Sequence, residues 1–156
     1  MHKGKNPPAD VKSGTPLSVQ AHPAQRILVV DDDPFFCHRN AEMLGRQGYV
    51  VNAVENGALG WQELQANHYH LLITENEVPH LTGIELIQKL RSARMALPVI
   101  IATNKSPGMA VARRLRLNPV FTLLKPYTLV DFIEAVNVAL LQPANSLAEH
   151  RHVARS

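Results

Sequence analysis

The chain has 156 residues, and 46% of them are hydrophobic, which fits one domain with a sizeable core and excludes a wholly disordered chain. Its net charge is +3, but residues 1–25 carry +2 and residues 143–156 carry +1, so the body between them is neutral. A neutral body argues against a surface that binds nucleic acid.

The sequence contains no signal for membrane insertion or export. No apolar run approaches the roughly 18 residues that cross a bilayer. Residues 1–25 lack the apolar centre of a signal peptide, so we expect a cytoplasmic protein that makes no contact with a membrane. The single cysteine, Cys37, excludes an internal disulfide.

The first half of the chain predicts two strand–helix units. Residues 1–25 are rich in Pro, Gly, Ser and Lys and predict a flexible leader. Residues 26–30 form an apolar strand, and Asp33 before Pro34 predicts the N-cap of a helix that ends near residue 47. A shorter strand follows at 49–54. Residues 56–66 predict a helix anchored by Leu59, Trp61 and Leu64.

The second half predicts three more units. Residues 70–74 and 98–103 are buried strands, and between them Thr82 caps a helix, with Glu85 completing a capping-box pattern. Residues 106–115 predict a marginal helix, and 120–124 a fifth strand. Thr128 caps a last helix to about residue 141, and residues 143–156 predict a flexible tail. The predicted domain is therefore 26–142.

Polar side chains follow several of these strands. Asp31, Asp32 and Asp33 come after the first strand, and Glu75 and Lys125 come after the third and fifth. Alternating strands and helices joined by short connections predict a doubly wound parallel sheet with right-handed crossovers. The carboxyl ends of such strands meet at one edge, where these sheets bind ligands.

Four features of the sequence belong together: residues 29–34, a carboxylate four positions before Pro79, Thr103, and the pair Lys125–Pro126. In their order and spacing they resemble the receiver domain of two-component response regulators. The resemblance spans about residues 26–141. It implies a flavodoxin-like (βα)5 fold with the strand order 2-1-3-4-5, and a role in phosphorelay signalling.

The resemblance also implies roles for individual residues. It implies that Asp31 and Asp32 bind Mg²⁺ and that the backbone carbonyl of Glu77 adds an oxygen ligand. Glu75 occupies the position of the phosphate acceptor and becomes a further metal ligand. The resemblance further implies that Thr103 supplies the hydroxyl that bonds the phosphoryl group and that Lys125 is the cation that pairs with it. It also implies a cis Lys125–Pro126 peptide.

Electrostatics gives independent support for a cation in this crevice. Asp31, Asp32 and Glu75 in one crevice would raise one another's pKa values unless a cation joined them. Lys125 offsets one charge, and a divalent ion would offset the rest. Asp33 is better explained as a helix cap.

Two departures from the family pattern affect the switching mechanism. The acceptor is aspartate in the family and Glu75 here, and its extra methylene allows a contact with Lys125 or Thr103 without phosphate. The position three residues before the lysine, usually aromatic, is Thr122, and Phe121 should face the other side of the strand. Both departures weaken the case for ordinary switching.

The sequence therefore predicts a stand-alone receiver-like signalling domain that acts through protein contacts, with Glu75 biasing it toward one state. About 15 residues follow the last helix, too few for a DNA-binding domain. The expected partners are a sensor histidine kinase or phosphotransfer protein, and a downstream protein bound by the fourth helix, fifth strand and fifth helix. Beyond receiver-type autophosphorylation and dephosphorylation, we expect no enzyme.

Two alternatives stay open at this point. One is an Mg²⁺-dependent phosphohydrolase-like enzyme on a related α/β fold, since Asp31 and Asp33 have the spacing of its acids, although short loops leave little room for a substrate. The other is an adaptor that works independently of phosphorylation.

Overall fold

In the computed structural model, which describes residues 24–104 and 116–141, five parallel strands form one sheet. The strands are β1 (Arg26–Val30), β2 (Val50–Val54), β3 (Leu71–Thr74), β4 (Val99–Thr103) and β5 (Val120–Leu124). Their spatial order is β2-β1-β3-β4-β5, which confirms the predicted flavodoxin-like topology.

Helices pack on both faces of the sheet. They are α1 (Pro34–Arg46), α2 (Gly57–Ala66), α3 (Gly83–Ser92) and α4 (Leu129–Leu140). The predicted helix at 106–115, the tail at 143–156 and residues 1–23 of the leader lie outside the described residues. Within the described ranges, no helix has the length and apolarity needed to span a membrane.

Polar N-caps explain where these helices begin. Each cap side chain accepts a hydrogen bond from a backbone N–H of the first turn, an interaction worth about 1 kcal/mol. The caps are Asp33, Asn56, Thr82 and Thr128. The structure thus confirms Asp33 as a helix cap, and it adds a reciprocal bond from the Thr128 backbone to Asp131 that the sequence analysis did not foresee.

The core consists of two layers, one on each face of the sheet. Alternate residues of β4 supply both layers, because successive strand side chains point to opposite faces. Ile101 packs with the α2 and α3 side, whereas Ile100 packs with the α1 and α4 side. On β5, Phe121 joins the α1 and α4 layer, as predicted, and the buried hydroxyl of Thr122 has no hydrogen-bond partner in the described structure.

Helix α2 packs differently from the prediction. Leu64 is buried and Trp61 is half-buried, but Leu59 is 37% exposed, so its predicted role as an anchor is wrong. The helix approaches the sheet through glycine instead, since a Cβ on Gly60 would lie 2.9 Å from Cγ2 of Val30. Close backbone approach therefore replaces a large apolar side chain at this contact.

His70, just before β3, gives the fold a small pH dependence. Its Nδ1 accepts a hydrogen bond from the backbone N–H of Arg26 at 2.9 Å. Burial lowers the pKa of His70, and the neighbouring His68 and the charge of Arg26 add to the shift. The folded-state pKa therefore lies below the unfolded value of about 6.5. The neutral His70 ring therefore contributes a stability that is complete above the unfolded-state pKa. That contribution is lost as the pH falls through the folded-state pKa.

We expect His70→Asn, which keeps an acceptor that does not titrate, to lose less stability than the parent between about pH 8 and about pH 5. Urea unfolding at both pH values measures the difference. His38→Asn, at an exposed position of α1, is the control and should behave as the parent. An equal loss in the parent and in His70→Asn would contradict the assignment.

Candidate functional site

Three strand ends place charged side chains at one edge of the sheet. Asp31 directly follows β1, Glu75 follows β3 and Lys125 follows β5. Since β1 and β3 are neighbours and the strand order reverses between them, a crevice opens there at the carboxyl ends of the strands.

Lys125 bridges the two acids of this crevice. Its Nζ lies 2.7 Å from Oδ2 of Asp31 and 3.0 Å from Oε2 of Glu75. The three side chains are nearly inaccessible, with exposed fractions of 5% for Lys125, 4% for Asp31 and 9% for Glu75. Both contacts are charge-assisted hydrogen bonds in a site with little water, where such bonds are strongest.

Backbone N–H groups occupy the remaining carboxylate oxygens. Oδ1 of Asp31 accepts from the N–H of Asp33 at 2.9 Å. Oε1 of Glu75 accepts from the N–H of Asn76 at 2.9 Å and from that of Glu77 at 3.3 Å. The Glu75 side chain therefore folds back on its own loop, which accommodates its extra methylene and directs Oε2 toward Lys125.

The backbone around Glu75 is fixed by the start of α3. The side-chain carbonyl of Asn76 accepts from the N–H of Ile84 at 3.0 Å, and its backbone carbonyl accepts from Gly83 at 2.9 Å. A Cβ on Gly83 would lie 2.8 Å from the carbonyl oxygen of Glu75, so only glycine fits at this approach.

Burial and the ion pairs have opposite effects on the pKa values of Asp31 and Lys125. Burial raises the pKa of Asp31, while hydrogen bonds from Lys125 and from the Asp33 N–H act to lower it. Burial alone would lower the pKa of Lys125, but its bonds to the two carboxylates outweigh that effect and raise it. Lys125 is thus held in its charged form by two acids.

The other predicted site residues surround this bridge. Thr103 is buried at the end of β4, and its carbonyl accepts from the backbone N–H of Lys125 at 2.9 Å. Asp32 and Glu77 are exposed at the rim of the crevice. The Lys125–Pro126 peptide is cis, as the resemblance implies.

The crevice offers oxygen donors suited to Mg²⁺. The Asp31–Glu75–Lys125 set has a formal charge of −1, and Asp32 adds another negative charge at the rim. Within residues 24–104 and 116–141, however, no three Asp, Glu, His or Cys side chains are grouped to hold a metal ion. Lys125 lies between the acids, so a metal would gain Oδ2 of Asp31 only after Lys125 moves away.

The structure adds an aromatic contact that the sequence analysis missed. The ring centroid of Phe36 lies 3.9 Å from Nζ of Lys125. Phe36 also contacts the ring of Tyr127, whose buried hydroxyl donates to Oδ1 of Asn40 at 2.8 Å. The sequence offered one signal for this contact: Phe36 lies in the first turn of α1, the helix that follows Asp31.

Comparison with known proteins identifies related sequences over the same region. Residues 27–137 match the family model described as the response regulator receiver domain. The DNA-binding transcriptional regulator NtrC of a Bradyrhizobium species is 31% identical over 121 residues, which are 78% of this chain and 25% of NtrC. The sensor protein EvgS of Escherichia coli O157:H7 is 31% identical over 131 residues, 81% of this chain and 10% of EvgS. The chain thus spans a quarter or less of these two relatives.

A solved structure extends the similarity to the fold. The response regulator TrrA of Thermotoga maritima, in complex with Mg²⁺ and BeF, is 26% identical to this chain with a TM-score of 0.67. The alignment covers 75% of this chain and 99% of the TrrA chain.

Proposed function

This chain belongs to the response regulator receiver domain family, and we propose that it is a signalling module held in one state by the permanent contact between Glu75 and Lys125. The observation that carries the proposal is the 3.0 Å distance between Nζ of Lys125 and Oε2 of Glu75. In this proposal Glu75 occupies the acceptor position, and its carboxylate takes the place of a phosphoryl group as the partner of Lys125.

The chemistry of Glu75 supports a state that does not depend on phosphorylation. A phosphorylated side chain brings about two negative charges and three acceptor oxygens when a kinase acts. Glu75 brings one charge and two oxygens at all times. Both oxygens already accept hydrogen bonds and the residue is buried, so its carboxylate is poorly placed to attack a phosphoryl donor.

We further propose weak Mg²⁺ binding by Asp31, Asp32, Glu75 and the backbone carbonyl of Glu77, in competition with Lys125. When bound, the ion would supply positive charge against the carboxylates and any phosphoryl oxygen. TrrA, solved with Mg²⁺ and BeF, supports this assignment at the level of the family.

Protein contacts are the proposed output of this signalling module, and the cytoplasm is its proposed location. A sensor histidine kinase or phosphotransfer protein would act upstream, in keeping with relatives that include sensor proteins and response regulators. The downstream partner would bind the predicted helix at 106–115 together with β5 and α4. Exposed apolar side chains on and beside these two described elements support that surface: Leu124, Leu129, Val130, Val138 and Leu141.

The geometry disfavours the phosphohydrolase alternative. Asp33 caps α1 by accepting from the N–H of Phe35 at 2.9 Å, and Asp31 is paired with Lys125. The pair Asp31 and Asp33 is therefore not arranged as a nucleophile and its neighbouring acid. The adaptor alternative agrees with the proposal, because both need partner binding without phosphate.

The substitution Glu75→Asp tests the proposed function. The shorter side chain should give up the contact with Lys125, so the variant should become labelled by acetyl phosphate with Mg²⁺, whereas the parent stays unlabelled. Unlabelled, it should bind the partner less well than the parent. Intact-protein mass measures the labelling.

Glu77→Asp is the matched control, since Glu77 is exposed on the same loop and this variant should stay unlabelled. Should the parent take up phosphate as readily as Glu75→Asp, this protein is an ordinary receiver with a glutamate acceptor and the proposal is wrong.

A further inference from the structure

We propose that Phe36 is a positioning residue that keeps the Lys125 ammonium on Asp31 and Glu75 and restricts access to it. The ring centroid of Phe36 lies 3.9 Å from Nζ, which also bonds the two carboxylates at 2.7 and 3.0 Å. The ammonium therefore has a charged acceptor on two sides and an aromatic face on a third.

The environment makes the aromatic contact a strong one. A cation over an aromatic face is bound more strongly when water is excluded from both groups than when they are solvated. The Lys125 side chain is 5% exposed, so the contact with Phe36 is of the stronger, desolvated kind. Water that would otherwise solvate this side of the ammonium is replaced by the ring.

The Phe36 ring is itself supported by Tyr127. Phe36 contacts the ring of Tyr127 at a centroid distance of 5.9 Å. Tyr127 is buried, its hydroxyl donates to Asn40 at 2.8 Å, and its carbonyl accepts from Arg39 at 3.2 Å. Two α1 side chains, those of Arg39 and Asn40, thus hold Tyr127 beside the Phe36 ring.

Phe36 consequently controls how readily Lys125 exchanges its carboxylates for another ligand. To meet an incoming anion, or to let a divalent cation reach Asp31, the ammonium has to leave the aromatic face. The inference goes beyond the proposed function, because it concerns the release of Lys125 whichever acid occupies position 75.

The test is the acetylation rate of Lys125 by a small amine-reactive ester, measured on the full folded chain by peptide mass mapping. In Phe36→Leu, which keeps an apolar side chain but loses the ring, we expect a roughly 5- to 30-fold faster reaction, the equivalent of about 1–2 kcal/mol of barrier. Lys89, exposed on α3, serves as the internal reference and should not change.

Two further variants separate the aromatic contact from general packing. Phe35→Leu is the matched control for the loss of a neighbouring ring: Phe35 is 64% exposed and contacts the Phe36 ring edge-to-face at a centroid distance of 5.5 Å, and its variant should react as the parent. Phe36→Tyr keeps an aromatic face and should also react as the parent.

An unchanged rate in Phe36→Leu would overturn the inference, and so would equal acceleration in Phe36→Leu and Phe36→Tyr. Either result would leave the phosphate labelling of Glu75→Asp untouched, so failure of this inference and failure of the proposed function can be told apart.

Discussion

Replacing Arg91 by alanine is expected to lower the free energy of unfolding by about 3 kcal/mol or more, because several hydrogen bonds to a charged donor are lost at once. Arg91, on α3, donates from Nε to the carbonyl of Leu117 at 2.8 Å and from Nη1 to those of Met95 and Leu97 at 2.7 Å each. Nη2 donates to the carbonyl of Pro119 at 3.2 Å. One side chain thus joins the ends of the loops that lead into β4 and β5.

Burial explains why the hydrogen bonds of Arg91 contribute so much to the stability of the fold. Burial lowers the pKa of Arg91 to about 10, which still leaves the guanidinium charged at neutral pH. Alanine would leave the carbonyls of Met95, Leu97 and Leu117 to find water in a partly buried place, whereas the carbonyl of Pro119 keeps its bond from the N–H of Val99. For a domain of this size, a loss of about 3 kcal/mol lowers the melting temperature by roughly 10 °C.

Thermal unfolding of Arg91→Ala beside Arg46→Ala measures the effect. Arg46 is an exposed arginine of α1 paired with Glu42 at 2.7 Å, and such i,i+4 pairs contribute only about 0.3–0.5 kcal/mol. If the two variants melted at the same temperature, the carbonyl cluster would have no energetic importance.

The sequence predicts the backbone of this fold better than its packing. Continuous apolar runs identify the buried strands, and short polar side chains before apolar periodicity identify the helix starts, since both signals are local. The role of Arg91 is not local, because two of its acceptors lie 26 and 28 residues away in loops. Leu59 fails as an anchor for a related reason: helical spacing cannot tell that a glycine contact brings α2 against the sheet.

In the candidate site, too, the sequence predicts which residues meet but not how their side chains pair. Charges at the ends of parallel strands predict that Asp31, Glu75 and Lys125 lie together, because strand order and direction fix their positions. Spacing alone does not predict that Lys125 bonds both acids, since that depends on how the Glu75 side chain folds onto its loop. The Phe36 contact is likewise set by the orientation of the first turn of α1.

The second large effect is expected for Lys125→Met, which removes the cation between two buried carboxylates. Asp31 and Glu75 would then face each other without compensation, at an expected cost of about 3–5 kcal/mol at neutral pH. Lys89→Met is the matched control, because Lys89 is exposed and its Nζ lies 5.7 Å from the ring centroid of Trp61 rather than between two buried acids. Urea unfolding without divalent ions gives the difference.

Mg²⁺ should restore much of this loss in Lys125→Met and do little for the parent. In the variant the carboxylate oxygens are no longer occupied by an ammonium, so the ion gains ligands and removes the repulsion at once. An ion at about 100 times its dissociation constant stabilises the folded state by about 2.7 kcal/mol. In the parent the same ion has to displace Lys125 from Asp31 first, and that displacement consumes most of the gain.

Melting temperatures of both proteins over a series of Mg²⁺ concentrations decide the matter. A double variant, Asp31→Asn with Lys125→Met, should be more stable than Lys125→Met without Mg²⁺ and should respond less to the ion, because one of the two buried charges is gone. An equal rise for the parent and Lys125→Met would mean that Lys125 and the metal do not compete. The crevice would then hold both cations, and the proposed competition between Lys125 and Mg²⁺ for the carboxylates would be wrong.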